Sequence, residues 1–99
     1  MIVEFRAELW VWDARPDEGW TFVTLPEDES EEIREMTGGL GRRGFGAVRV
    51  EARIGATVWR TSIFPDAKSG CYVLPVKKAV RKAQKVEAGD AADVTVEVL

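Results

Sequence analysis

The chain has 99 residues, 45% of them hydrophobic and 31% charged, and this length predicts one domain over residues 1–99, because a single core of this size buries most of the unfolded chain's surface. A formal net charge of −3 argues against broad electrostatic attraction to nucleic acid or to an anionic membrane. The absence of histidine excludes Ser-His-Asp and Cys-His catalysis and an imidazole-bound metal.

The first predicted element is a strand, because apolar side chains from Val3 to Val11 alternate with charged ones. Trp10 and Trp12 fall on the polar side of this alternation, where we expect the fold to cover the strand end on both sides; an exposed aromatic patch is the alternative. A polar turn over residues 13–19 leads to a second strand over residues 20–25. The two strands are therefore predicted to form a hairpin.

A strongly acidic helix follows, with Pro26 predicted at its first position and Thr37-Gly38-Gly39 at its end. The acidic side chains of its first turn complement the positive end of the helix dipole. No loop gathers these carboxylates around one point, so we interpret them as a solvated face and predict no metal site.

The next predicted strand covers residues 47–54 and turns back at Gly55-Ala56, with glycine first as a type II′ turn prefers. Pairing Ile54 with Thr57 would place Arg60 beside Glu51 on the outer surface. The same register assigns the other side chains to two faces. The inner face would carry Val48, Val50, Ala52, Trp59, Thr61 and Ile63, and the outer face Arg49, Arg53, Arg60 and Ser62.

The remaining predicted elements are a short strand over residues 71–74, a helix over residues 75–85 and, after Gly89-Asp90, a last strand. Cys71 is the only cysteine, which excludes an intramolecular disulfide and favours a reducing cytoplasm. We expect its thiol to be buried and inert, since a nucleophilic role would need an activating cation such as Lys68 nearby. The apolar stripe predicted for the helix is Val76, Ala79, Val80 and Ala83.

Two Leu-Pro pairs suggest an internal duplication, because Leu25-Pro26 and Leu74-Pro75 lie 49 residues apart and each closes a strand and opens a charged helix. The pseudo-repeats would span about residues 1–49 and 50–99, each in the order β-β-α-β. We therefore predict a mainly β fold, a six-stranded barrel capped by two short helices. Each half alone would leave its sheet edges unpaired, so we expect one chain to complete the barrel as a monomer.

The segment from Gly39 to Gly44 matches the letters G-x-G-x-x-G, but it follows a helix and enters a strand. This is the reverse of the dinucleotide-binding context, so we predict a connection and no cofactor. A phosphate-cradling role for Arg42 and Arg43 is the alternative. No apolar run approaches about 18 residues, and the start of the chain is interrupted by charges, so we expect no membrane segment and no signal peptide.

The charges of the second predicted helix are placed unfavourably, whereas those of the first helix are placed favourably. Lys77 and Lys78 fall in its first turn, where the helix dipole disfavours cations, and Lys77, Arg81 and Lys85 recur at spacings that repel. No acidic residue lies between Val76 and Val86 to offset them. Such residues are either neutralised by tertiary neighbours or solvent, or kept for a ligand.

The segments from Trp59 to Pro65 and from Tyr72 to Ala83, with Gly89-Asp90, resemble a small prokaryotic family known only as a domain of unknown function. That resemblance implies a double-split β-barrel, a fold shared with the AbrB and MazE class of swapped-hairpin transcription factors and antitoxins. In those regulators two short chains complete one barrel, so the resemblance implies a monomer that stands in for their dimer. It transfers no catalytic residue.

We predict a non-catalytic binding or accessory module that engages an anionic ligand or an acidic protein. The residues predicted to bind are Lys77, Lys78 and Arg81, with Arg60 and Ser62 on the neighbouring strand. An AbrB-like DNA-binding regulator is the first alternative, in which Arg49, Arg53 and Arg60 would contact phosphates. An enzyme that works without histidine or metal is the second.

Overall fold

A computed structural model describes residues 1–13, 19–37 and 46–99. Over these residues the chain forms seven strands and two helices. In chain order they are β1 (Ile2–Glu8), β2 (Trp10–Val11), β3 (Thr21–Thr24), α1 (Glu27–Met36), β4 (Val48–Ile54), β5 (Thr57–Pro65), β6 (Tyr72–Pro75), α2 (Lys78–Gln84) and β7 (Ala91–Val98).

The strands form one antiparallel array in the order β1-β7-β4-β5-β6-β3-β2. β1 and β2 are successive pieces of one extended segment, so the two ends of the array meet and the barrel is nearly closed. The predicted mainly β barrel with two helices is confirmed. Seven strands are present where six were predicted, because the first predicted strand is divided at Leu9.

Leu9 is the point at which the first segment changes partners. Its backbone N–H donates to the Asp90 carbonyl and its carbonyl accepts from the Gly89 N–H, both at 2.9 Å. Before Leu9 the segment pairs with β7, and after it the segment pairs with β3. The Leu9 side chain is 1% exposed, so this crossing point also fills the core.

The β4–β5 hairpin has the predicted register, with Ile54 opposite Thr57 and Glu51 opposite Arg60. Gly55 has φ +59°, as the first central residue of a type II′ turn requires. The Arg60 Nε lies 3.4 Å from a Glu51 carboxylate oxygen on the outer surface. The predicted register, and with it the assignment of the named side chains to an inner and an outer face, is therefore confirmed for this pair of strands.

Both helices begin later than predicted. Pro26 precedes α1 as an extended residue, and α2 begins at Lys78 because extended pairing with β3 continues past β6. The Val76 N–H donates to the Thr21 carbonyl at 2.9 Å, which holds this stretch as strand until the helix can start. The predicted apolar stripe of α2 is half correct, since Val76 and Val80 are buried but Ala79 and Ala83 are exposed.

α1 is attached to the start of β6 and to Gly70 before it by two side chains. The fully buried Ser30 hydroxyl accepts from the Tyr72 backbone N–H at 3.0 Å. The Arg34 guanidinium donates to the Gly70 carbonyl at 2.9 Å and lies 5.6 Å from the centre of the Tyr72 ring. These contacts fix the acidic helix on the barrel while its carboxylates remain in solvent.

The core lies inside the barrel and under the two helices. Neither helix of the described ranges combines the length and apolar character needed to cross a bilayer. The glycine-rich segment from Gly39 to Gly44, with Arg42 and Arg43, lies outside the described residues. Fully buried core side chains include Leu9, Val23, Leu25, Ile33, Val50, Ile63, Leu74, Val76, Val80, Val94 and Val96.

Candidate functional site

The outer surface of strands β2, β3 and β6 is apolar. Val23 and Leu74 are paired and completely buried, so their neighbours Phe22 and Pro75, which are also paired, point outward. Trp10 pairs with Phe22 on the same surface, with ring centres 5.2 Å apart. The row across these three strands therefore carries large apolar side chains where an outer barrel surface would usually be polar.

A second aromatic pair extends this surface at the end of the β2–β3 hairpin. The rings of Trp12 and Trp20 are stacked, with centres 5.4 Å apart, and the Trp12 N–H donates to the Trp20 carbonyl at 2.8 Å. Trp12 is 37% exposed and Trp20 51% exposed, so the prediction that the strand end is covered on both sides is wrong. With Phe64, which is 38% exposed, five of the eight aromatic residues that the structure describes lie here. We call Trp10, Trp12, Trp20, Phe22 and Phe64 the aromatic face.

A groove of about 400 Å³ separates part of the aromatic face from α2. One side is formed by Trp20, Phe22 and Phe64, and the other by the start of α2. The lining contains no carboxylate among the described residues. Its members are Gly19, Trp20, Thr21, Phe22, Phe64, Pro75, Val76, Lys77, Lys78 and Arg81.

Lys77 and Lys78 are exposed at the rim of this groove. Lys77 immediately precedes α2 with an extended backbone, and Lys78 is the first residue of the helix. Within the described ranges, no ion pair involves a cation of α2 or an acid of α1. The ion pairs present join Arg6 to Asp93, Arg60 to Glu51 and Lys68 to Asp13.

Arg81 occupies a different position from the two lysines. Its side chain is half-buried, with Nε donating to the Val76 carbonyl at 3.1 Å and a terminal nitrogen 3.4 Å from the Gly19 carbonyl. These bonds join α2 to the strand before it and to the start of β3. Of the two explanations for the cations of this helix, Arg81 fits the contact with tertiary neighbours, because it has backbone acceptors.

The other two predicted binding residues lie outside the groove. Arg60 and Ser62 point outward from β5, in the same row as Phe64, but neither lines the groove. Arg60 pairs with Glu51, and Ser62 lies 3.4 Å from a terminal nitrogen of Arg49. The structure thus brings Lys77, Lys78 and Arg81 together at the groove and leaves Arg60 and Ser62 outside it, farther along the outer face of β5.

Cys71 is buried immediately before β6. The cation considered for its activation, Lys68, instead has its Nζ 3.7 Å from a carboxylate oxygen of Asp13. In the part of the chain that the structure describes, no three acidic or cysteine side chains come together as metal ligands.

Sequence reasoning predicted the cations of the groove but missed its aromatic wall. The signal was present at Trp10 and Trp12, which break the alternation by placing aromatic rings on the polar face of a strand. Phe64 gave a second signal, because it continues the outward row of Arg60 and Ser62. The exposed rings of Trp12 and Phe64 show that these positions belong to the surface.

The fold and the groove define a small, nearly closed β-barrel protein with an open surface that is both aromatic and cationic. A family model described as Domain of unknown function (DUF1905) matches residues 5–96. The chain therefore belongs to that family. No curated protein matches it.

Proposed function

We propose that the protein is a non-catalytic binding module whose groove beside α2 holds an anionic group, either of a small ligand or of an acidic partner. The observation that carries this proposal is the position of Lys77 and Lys78. They are exposed, and among the described residues the groove they face contains no carboxylate and neither lysine has an ion-pair partner. Two explanations apply to cations at a place where the helix dipole disfavours them, neutralisation by their surroundings or a ligand, and the lack of an acidic neighbour among the described residues favours the ligand.

Arg81 has a structural role at the groove. Its hydrogen bonds to the Gly19 and Val76 carbonyls position the start of α2, and with it the two lysines, against β3. Substitutions that test anion binding should therefore leave Arg81 in place, because its loss would combine a structural defect with a loss of charge.

The first prediction is that replacing Lys77 and Lys78 together by Gln abolishes anion binding at the groove. The probes are tripolyphosphate and a hexaglutamate peptide, followed by two-dimensional ¹H–¹⁵N NMR of the full chain. In the parent protein we expect chemical-shift changes centred on residues 19–22 and 75–81, because these residues form the groove. In the double variant these changes should disappear.

The matched control is the double replacement of Lys82 and Lys85 by Gln. It removes the same charge from the same helix, but neither residue lines the groove. Anion binding should persist in this control. Equal loss in both double variants, or shifts centred on Lys82 and Lys85, would contradict the proposed site and indicate non-specific attraction to a basic helix.

We also propose that the chain is a monomer built from two pseudo-repeats, in a double-split barrel. The pairing supports this proposal, because the two strands that follow the helices, β4 and β7, pair with each other. The two strands that precede the helices, β3 and β6, also pair with each other. Light scattering should therefore give a mass near 11.0 kDa. A stable dimer at micromolar concentration would contradict the proposal.

The AbrB-like alternative stays a prediction. Its residues Arg49, Arg53 and Arg60 share an outer face, but Glu51 lies among them and pairs with Arg60. The carboxylate of Glu97 stands opposite Glu51 on β7. This mixture of charges gives a weaker phosphate-binding surface than the groove, so we favour the groove.

A further inference from the structure

We infer that the groove takes a nucleotide unit, with a planar base against the rings of Trp20 and Phe64 and a phosphate at the ammonium groups of Lys77 and Lys78. This inference rests on the proposed anion-binding function and names the class of the ligand. Its basis is that the same groove is lined by exposed aromatic rings on one side and, on the other, by lysines that have no ion-pair partner among the described residues.

The aromatic wall is suited to a flat ring. Trp12 and Trp20 form a stacked pair, and only Trp20 of the two reaches the groove. A planar base placed against Trp20 would continue this stack. Stacking on an aromatic side chain tolerates any base, because every base has a π face. Phe64, on a different strand, provides a second ring at the same groove.

The cationic wall is suited to a phosphate. Lys77 and Lys78 can each donate to phosphate oxygens, and no acidic side chain of the described residues lines the groove to compete for them. The volume of about 400 Å³ is within the range of sites that hold small ligands. The whole chain carries a net negative charge, so electrostatic attraction of phosphate is confined to the groove. This favours contact with one or two phosphates over contact with many successive ones.

An acidic peptide is the competing occupant, and the composition of the groove favours the nucleotide. An acidic peptide would be held by the two lysines at the rim, but its carboxylate side chains offer no flat group to the rings of Trp20 and Phe64. Stacking platforms beside lysines are instead the arrangement that binds single-stranded nucleic acid without sequence preference. The peptide therefore serves as the competing probe in the test.

The test measures fluorescence anisotropy of a labelled oligothymidylate of about six nucleotides, a length within the range bound by one small domain. Parent protein should bind it, and replacement of Trp20 by Ala should weaken binding roughly tenfold, as expected for the loss of one stacked base. Replacement of Trp20 by Phe should restore most of the affinity. Phe64→Ala tests the other ring without disturbing the Trp12–Trp20 stack.

The salt dependence tests the phosphate contacts separately. Two lysine contacts to a single strand should contribute about −1.4 to the slope of log affinity against log salt concentration. Lys77→Gln with Lys78→Gln should remove that part of the slope, whereas Lys82→Gln with Lys85→Gln should leave it. Circular dichroism of every variant establishes that the barrel is intact.

The arms of the experiment distinguish the sources of the nucleotide. Competition by thymidine monophosphate as strong as competition by the oligonucleotide indicates a free nucleotide, and competition by the oligonucleotide alone indicates a single strand. Both results support the inference. Two results would overturn the nucleotide inference and leave the proposed function standing. In the first, tripolyphosphate or hexaglutamate binds at Lys77 and Lys78 but the oligonucleotide does not bind. In the second, the oligonucleotide binds but Trp20→Ala does not weaken its binding. Failure of every anion to bind would overturn both.

Discussion

Replacing Leu9 by Ala should lower the free energy of unfolding by about 2–5 kcal/mol. Leu9 is 1% exposed and lies where the first segment leaves β7 and joins β3. Truncation would remove buried methyl groups and leave a cavity. The backbone is held against closing it, because the Leu9 N–H and carbonyl are both hydrogen-bonded, to Asp90 and Gly89 respectively. For a domain whose total stability is about 5–15 kcal/mol, this is a large fraction. Urea unfolding followed by tryptophan fluorescence measures it.

Leu99→Ala is the matched control for this prediction. Leu99 is 57% exposed, so the same chemical change should alter the free energy of unfolding by no more than about 0.5 kcal/mol. If Leu9→Ala and Leu99→Ala had equally small effects, the crossing at Leu9 would not be part of the cooperative core. The two variants therefore test whether closure of the barrel through β2 stabilises the fold.

The sequence predicted those parts of the fold that depend on local pattern. The alternation around Val50 and the glycine at position 55 were sufficient to predict the β4–β5 hairpin with its register, because turn type and side-chain period fix both. Pro26 and Pro75 indicated the approximate start of each helix, because proline is common at the first position of a helix. The cations at the start of α2 were also visible, because they violate a local rule.

Features that depend on distant partners could not be predicted. The break at Leu9 is set by the Gly89-Asp90 turn, some eighty residues away in the chain, and the alternating pattern continues through it. The late start of α2 is set by the bond from Val76 to Thr21 across the barrel. The aromatic wall of the groove likewise depends on the order of the strands, which brings Phe64 to the surface that holds Trp20.

Ser30 has a structural role that its charged sequence neighbours do not indicate. It lies among glutamates in α1, yet it is fully buried and its hydroxyl accepts the Tyr72 N–H at 3.0 Å. Burial follows from the helix period, which turns Ser30 and Ile33 to the barrel while the carboxylates face solvent. Nothing in the local sequence indicates that the backbone N–H of Tyr72 in β6 lies within hydrogen-bonding distance of Ser30.

Replacing Ser30 by Ala should lower the free energy of unfolding by about 1–3 kcal/mol, because the buried Tyr72 N–H would lose its acceptor. Hydrogen exchange of the Tyr72 amide should accelerate by more than that of the neighbouring β6 amides. Ser62→Ala is the control, since this hydroxyl makes only a 3.4 Å contact with exposed Arg49 and its loss should cost at most about 0.5 kcal/mol. Unchanged protection of the Tyr72 amide in Ser30→Ala would mean that α1 is held by Arg34 and Ile33 alone.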